Sequence, residues 1–88
     1  MKTKNVYEFK LTSRCPVDNR QDNYAASLIS ETMIQAEDIV AFCDESEMVP
    51  IFQEDLATRM QIRFQASVHL VGWHNGIKVT CSADGEDS

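Results

Sequence analysis

The residues of this chain best suited to chemistry are a cysteine and an aspartate seven positions apart, Cys15 and Asp22. They flank a short polar stretch, Pro16 to Gln21, whose proline and Asn19 favour a turn over a helix. A thiol can attack an electrophilic carbon, and a nearby carboxyl group can transfer the accompanying proton. The stretch is therefore a candidate catalytic loop, although the same residues also fit an ordinary polar loop with a half-buried cysteine.

The segments on both sides of this loop have the alternating pattern of β-strands. We expect a first strand over Asn5–Ser13 and a second over Tyr24–Glu31. The loop would then join two paired strands. The apolar side chains that share one face of these strands are Tyr7, Phe9, Leu11, Tyr24, Ala26 and Leu28.

Two helices are predicted in the middle of the chain. Thr32 followed by Gln35 matches a capping box, and the apolar residues that follow predict a first helix over Met33–Cys43. Pro50 suits the first turn of a second helix, where its missing amide proton costs nothing. The apolar stripe of this second helix, which we expect to face the core, consists of Phe52, Leu56 and Met60.

The last third of the chain predicts a β-hairpin. The segment Ile62–His74 alternates, Asn75-Gly76 is a strong turn signal, and a returning strand runs from Ile77 to Cys81. We expect order over residues 5–82 and an acidic tail over residues 83–88. The predicted fold class is α+β: a single domain over residues 1–88 in the order β-β-α-α-β-β, with a four-stranded antiparallel sheet and both helices on one face.

Composition limits the classes of function. A chain of 88 residues has a thin core, which favours association into oligomers. The net charge of −6 argues against a wholly basic surface that follows phosphates. No run approaches the roughly 20 apolar residues that a membrane span needs, and none follows the basic residues 1–4 as a signal peptide requires. Three cysteines without a secretory signal predict reduced thiols in the cytoplasm.

The remaining cysteines and the histidines do not predict a metal site. The chain contains neither a C-x-x-C nor an H-x-x-x-H motif. Cys43 and Cys81 lie on apolar faces of predicted elements, which favours a core position for both. His69 falls on the opposite strand face from the apolar stripe, where a surface or interface position is expected. We therefore expect no metal.

The loop, the element order and an acid at the second helix resemble the tunnelling-fold (T-fold) family. Within it, the chain resembles the nitrile reductases of queuosine biosynthesis, which act on 7-cyano-7-deazaguanine (preQ0), and their reductase-like relatives. The signature of these proteins is a cysteine, a proline, a polar turn and an aspartate seven positions on, here Cys15, Pro16 and Asp22. The resemblance implies that Cys15 attacks the nitrile carbon to give a thioimidate and that Asp22 handles protons.

A second similarity lies at the start of the second helix. The family has a histidine–glutamate pair there, and this chain has Gln53-Glu54. The resemblance implies that Glu54 binds the guanine-like edge of the base, with Gln53 beside it in the substrate site. The glycine pair that the family carries in the last hairpin survives only as Asn75-Gly76.

One departure from the family concerns the cofactor. The reductases hold the phosphate of NADPH with a lysine-rich motif, but Glu31–Asp38 contains no lysine or arginine. In this the chain is similar to the reductase-like amidinotransferases of archaeosine synthesis, in which ammonia attacks the thioimidate and gives a formamidine. The resemblance thus implies no cofactor, a 7-deazapurine substrate that is free or within tRNA or DNA, and a homo-oligomer with sites between subunits. An NADPH-dependent reductase and a non-catalytic purine- or pterin-binding module are the alternatives.

Overall fold

Six elements follow one another in the predicted order β-β-α-α-β-β. The computed structural model describes residues 3–84. Its elements are β1 (Asn5–Arg14), β2 (Gln21–Ser30), α1 (Ala36–Ser46), α2 (Gln53–Phe64), β3 (Ser67–His74) and β4 (Ile77–Ala83).

The four strands form one antiparallel sheet in the order β1-β2-β3-β4. Its register places Leu11 opposite Tyr24, Tyr24 opposite Gly72, and Gly72 opposite Val79. Both helices pack on one face, so that strand and helix side chains share a single core. That core contains Leu11, Tyr24, Ala26, Leu28, Ile39, Phe42, Ile51, Leu56, Ala57, Met60, Phe64, Ala66, Val68 and Leu70.

The capping box predicted at Thr32 is wrong. Helix α1 begins at Ala36, and Gln35 occupies its N-cap position without a side-chain hydrogen bond. The Thr32 hydroxyl instead lies 3.0 Å from the Ser30 hydroxyl, which also accepts a hydrogen bond from the Thr32 amide. The Ile34 amide donates to the Tyr7 hydroxyl at 2.9 Å. These bonds hold residues 32–34 in a non-helical connection, because side-chain hydrogen bonds to nearby backbone groups compete with the helix.

The strand predicted from Ile62 is wrong over its first part. Helix α2 continues to Phe64 and ends where Gln65 takes a left-handed conformation with φ 52°. Leu56, Met60 and Phe64 recur every fourth residue, a spacing that belongs to a helix face. Phe52 lies outside α2 and is 53% exposed, so its predicted core position is also wrong.

The turn between β3 and β4 is confirmed, since Asn75 and Gly76 both have positive φ, 53° and 82°. Strand β4 includes Ala83, so the predicted acidic tail begins too early by one residue. The rest of that tail, beyond Asp84, lies outside the described residues. Within residues 3–84, no helix is long and apolar enough to cross a membrane.

Candidate active site

The β1–β2 loop holds Cys15 in a closed hairpin. The Cys15 amide donates to the Arg20 carbonyl at 2.8 Å, and the Asn19 amide donates to the Cys15 carbonyl at 2.8 Å. Asn19 accommodates a φ of 61°, which explains why an asparagine suits this turn. The Asp18 carboxylate accepts from the Arg20 amide at 3.1 Å. The backbone at the thiol is therefore fixed by both its amide and its carbonyl.

Asp18 also contacts the thiol, which the sequence alone did not indicate. The Arg20 amide, and after it the Cys15 thiol, lower the pKa of the Asp18 carboxyl below its ordinary value. Because this pKa is lowered, the exposed Asp18 carboxylate is ionised at neutral pH and can accept a hydrogen bond from the Cys15 thiol.

Cys15 and Asp22 lie on the same face of the hairpin. Ser13 pairs with Asp22, and Cys15 follows Ser13 by two residues, opposite Arg20. Diagonal neighbours of this kind are roughly 7–8 Å apart in regular antiparallel strands. Both side chains are half-buried. This spacing leaves room for a small electrophilic group between the sulfur and the carboxyl group.

Tyr24 supports Asp22 from within the core. Its hydroxyl donates to Asp22 Oδ2 at 3.4 Å, a long hydrogen bond, while the residue as a whole is 3% exposed. Burial, followed by the negative charge of Asp22, raises the pKa of the Tyr24 phenol to about 12. The Cys15 side chain makes a smaller contribution in the same direction. Tyr24 is thus a neutral hydrogen-bond donor to Asp22.

A short bridge brings the start of α2 to the Cys15 loop. The Arg14 amide donates to the Val49 carbonyl at 2.9 Å, and the Ile51 amide donates to the Arg14 carbonyl at 3.0 Å. Because Arg14 directly precedes Cys15 and Ile51 lies just before α2, these two hydrogen bonds fix the helix N-terminus near the loop.

Gln53 is buried and fully engaged within the chain. Its Nε2 donates to the carbonyls of Leu70, at 2.8 Å, and Val79, at 3.0 Å. Its Oε1 lies 2.8 Å from Nε2 of His74. We therefore expect Gln53 to position the site from beneath, and its direct contact with a ligand stays a prediction.

Glu54 lies on the exposed side of the first turn of α2, toward β4. Burial, and after it the charge of Glu54, raises the pKa of the Cys81 thiol, so the two side chains are close. Within residues 3–84, no hydrogen bond or ion pair joins Glu54 to Cys15 or Asp22. The predicted base anchor thus lies beside Cys81 of β4, whereas the predicted nucleophile lies in the β1–β2 loop.

The other two cysteines have environments that disfavour a thiolate. Burial, and after it the charge of Asp44, raises the pKa of Cys43, just as burial does for Cys81. Both are partly buried against the core, as the apolar patterns predict. All three cysteines are unpaired. Among the described residues, no three His, Cys, Asp or Glu side chains come together as a metal site requires.

Sequence reasoning missed two members of this site, Tyr24 and His74. The rings of Tyr24 and His74 lie with centroids 6.1 Å apart and planes tilted by 54°. Together with Gln53 they link Asp22 on β2 to the start of α2. The alternating pattern predicts Tyr24 as a core residue and His74 as the last residue of a strand. Nothing in the sequence pattern indicates that either residue belongs to a functional site.

The chain has the topology of a T-fold domain. All of it aligns with 99% of the chain in a crystal structure of the archaeosine synthase QueF-Like in the apo form, with a TM-score of 0.83 and 16% sequence identity. At this identity the likeness establishes a shared fold. Neither a family profile nor a curated protein sequence gives a significant match.

Proposed function

We propose that this protein is an amidinotransferase-type enzyme that converts the nitrile of preQ0, free or in a nucleic acid, to a formamidine through a thioimidate on Cys15. The observation that carries this proposal is the placement of Cys15 and Asp22 on one hairpin face, with Asp22 supported by the neutral Tyr24 phenol. The fold shared with an archaeosine synthase supports it.

The first step adds the thiol across the nitrile. The Cys15 sulfur forms a bond to the nitrile carbon, one C–N π bond breaks, and a proton reaches the nitrogen. Asp22 is placed on the same face as the sulfur, so in its protonated form it can donate that proton. The proton that the Cys15 thiol loses passes to the Asp22 carboxylate, so the acid is restored and the step balances.

The second step replaces sulfur by nitrogen. Ammonia forms a bond to the thioimidate carbon, the C–S bond breaks, and the proton that ammonia loses returns to the Cys15 thiolate. This exchange changes no oxidation state, so it needs no hydride donor. For this second step the site needs only access for ammonia and one group that transfers a proton.

Recognition of the base is assigned to Glu54, whose carboxylate can accept hydrogen bonds from a ring N–H and an exocyclic amine. Strands β1 and β4 are the two edges of the sheet. The outer carbonyls of Lys10, Thr12 and Arg14 already accept hydrogen bonds within the chain, so another copy can pair with β1 only before Lys10. If β4 of one copy pairs with that part of β1 in the next, Glu54 lies on the side of its own subunit that faces this neighbour. We therefore propose a cytoplasmic homo-oligomer whose sites combine Glu54 and Cys15 from two subunits.

The segment between β2 and α1 supports ammonia over NADPH. It lines a surface cleft of about 610 Å³ in which Lys4 is accompanied by Glu37, so positive charge is offset by negative charge. A dinucleotide phosphate there would lack the paired cations that usually hold it. This observation favours the amidinotransferase over the reductase.

The experiment is to incubate the protein with preQ0 and then add either an ammonium salt or NADPH at mildly alkaline pH. The proposal expects formamidine from ammonium and no oxidation of NADPH, with Cys15→Ala inactive as the control. Steady consumption of NADPH with an aminomethyl product would support the reductase instead. Binding of preQ0 without either product would indicate a non-catalytic module.

A further inference from the structure

The hydrogen bonds of Gln53 determine the orientation of its amide. The atom that contacts the carbonyls of Leu70 and Val79 must be a donor, so it is the amide nitrogen. The opposite atom is then the oxygen, and it is the one that lies 2.8 Å from His74. An amide oxygen can only accept a hydrogen bond.

The amide orientation in turn fixes the tautomer of His74. Since Gln53 Oε1 only accepts, Nε2 of His74 must carry a proton and donate it. In the neutral ring, Nδ1 then carries a lone pair. No side chain or backbone group within residues 3–84 forms a hydrogen bond with this Nδ1 atom. A buried glutamine thus holds a half-buried imidazole with its basic atom free.

The position of the ring relates this atom to the proposed site. Strands β2 and β3 are antiparallel, and Tyr24 pairs with Gly72. Asp22 lies two residues before Tyr24 and His74 two residues after Gly72, so these two side chains lie opposite each other at one end of the sheet. His74 and Asp22 lie on the helix-covered face next to Tyr24. The Tyr24 hydroxyl donates to Asp22, and its ring centroid lies 6.1 Å from that of His74. On the other side of Asp22, β1 places Ser13 opposite this residue, and Cys15 follows two residues later on the same face.

We propose that His74 is a catalytic base for the second step, an inference that rests on the proposed amidinotransferase function. As ammonia forms its bond to the thioimidate carbon, Nδ1 of His74 takes one proton from the attacking nitrogen. The C–S bond then breaks, and the proton passes from Nδ1 to the departing Cys15 thiolate. The imidazole ends the cycle neutral, with its Nε2 proton still donated to Gln53.

His74 suits this step better than Asp22 for two reasons. Asp22 Oδ2 already accepts the Tyr24 hydroxyl, whereas Nδ1 has no competing donor among the described residues. Imidazole is also the side chain that most readily exchanges a proton near neutral pH. The first step thus uses the carboxyl group, and the second uses the imidazole.

The test separates the two steps and uses His74→Gln. A glutamine side chain can still donate to Gln53 Oε1, so the internal bond is kept while the free basic atom is lost. The matched control is His69→Gln, because His69 is the other histidine of the chain, lies exposed on the opposite face of β3 and bonds Ser82 at 2.9 Å. Each variant is first loaded with preQ0, and then discharged with ammonia or with methoxyamine.

We expect His74→Gln to form the Cys15 adduct at the wild-type rate and to discharge it with ammonia about 100-fold more slowly. Discharge by methoxyamine should change little, because its addition product loses a proton to water without help. Equal losses with both amines, slower adduct formation or undiminished discharge by ammonia would each overturn the assignment. Absence of the adduct in the wild type would overturn the proposed function itself.

A second measurement requires no variant. Nitrogen NMR of the wild-type protein at alkaline pH should show His74 protonated at Nε2 and unprotonated at Nδ1. A neutral ring protonated at Nδ1 would contradict the inference even if His74→Gln failed to fold.

Discussion

Gly72 is required because the Tyr24 ring lies directly over it. A Cβ added at Gly72 would fall 2.6 Å from both Cδ1 and Cε1 of Tyr24, and this ring is 3% exposed. Overpacking of this kind costs about 1–3 kcal/mol, and the loss of glycine's flexibility returns about 0.5–1 kcal/mol. We therefore expect Gly72→Ala to lower the free energy of unfolding by up to about 2.5 kcal/mol. In a domain of this size that corresponds to a fall of up to roughly 20 °C in Tm.

A double-mutant cycle in urea tests this reasoning. In a Tyr24→Val background the ring is absent, so Gly72→Ala should be neutral or stabilising by up to about 1 kcal/mol. The matched control is Gly76→Ala, because Gly76 has a φ of 82° and nothing within 4 Å of an added Cβ. The destabilisation by Gly76→Ala comes from the strained backbone, so it should be the same in the wild-type and Tyr24→Val backgrounds. If Gly72→Ala costs as much in the Tyr24→Val background as in the wild-type background, the ring does not impose the glycine.

Three further predictions concern the site. Folding raises the pKa of the Tyr24 phenol from 10.0 to about 12. The neutral phenol therefore stabilises the fold fully below pH 10, and this contribution is lost between about pH 10 and 12. Tyr24→Phe should remove that part of the pH dependence in urea unfolding. Gln53→Leu removes the hydrogen bonds to two strand carbonyls and to His74, and it should destabilise the fold by about 2–4 kcal/mol, measured in the same way. Cys15→Ala and Glu54→Gln should each be inactive alone, whereas co-refolded mixtures should recover about a quarter of the sites if each site combines two subunits; no recovery would place both residues in one subunit.

The sequence predicts the fold well wherever one periodicity is unambiguous. Alternation in β1 and β2 and the Asn75-Gly76 turn predict the sheet, because a half-buried strand has one apolar face. The pattern fails at Phe64, where a four-residue helical repeat also satisfies a two-residue alternation. It fails again at Thr32, since the hydroxyl that could cap a helix bonds Ser30 instead.

Of the candidate site, the sequence predicts the local relations between residues but not the long-range ones. Cys15 and Asp22 lie on one short hairpin, so their relation follows from local spacing. The links between Tyr24, Gly72, His74 and Gln53 depend on the register between β2 and β3 and on where α2 crosses the sheet. Those are long-range features, which neither composition nor spacing reveals.

The mass of the protein after incubation with preQ0 shows whether Cys15 forms a thioimidate. We expect one molecule added per chain, with the mass of the whole nitrile compound because addition expels no leaving group. Peptide mapping should locate it at Cys15, Cys15→Ala should abolish it, and Cys43→Ala should retain it. An unchanged mass, or modification at Cys43 or Cys81, would show that Cys15 is not the nucleophile.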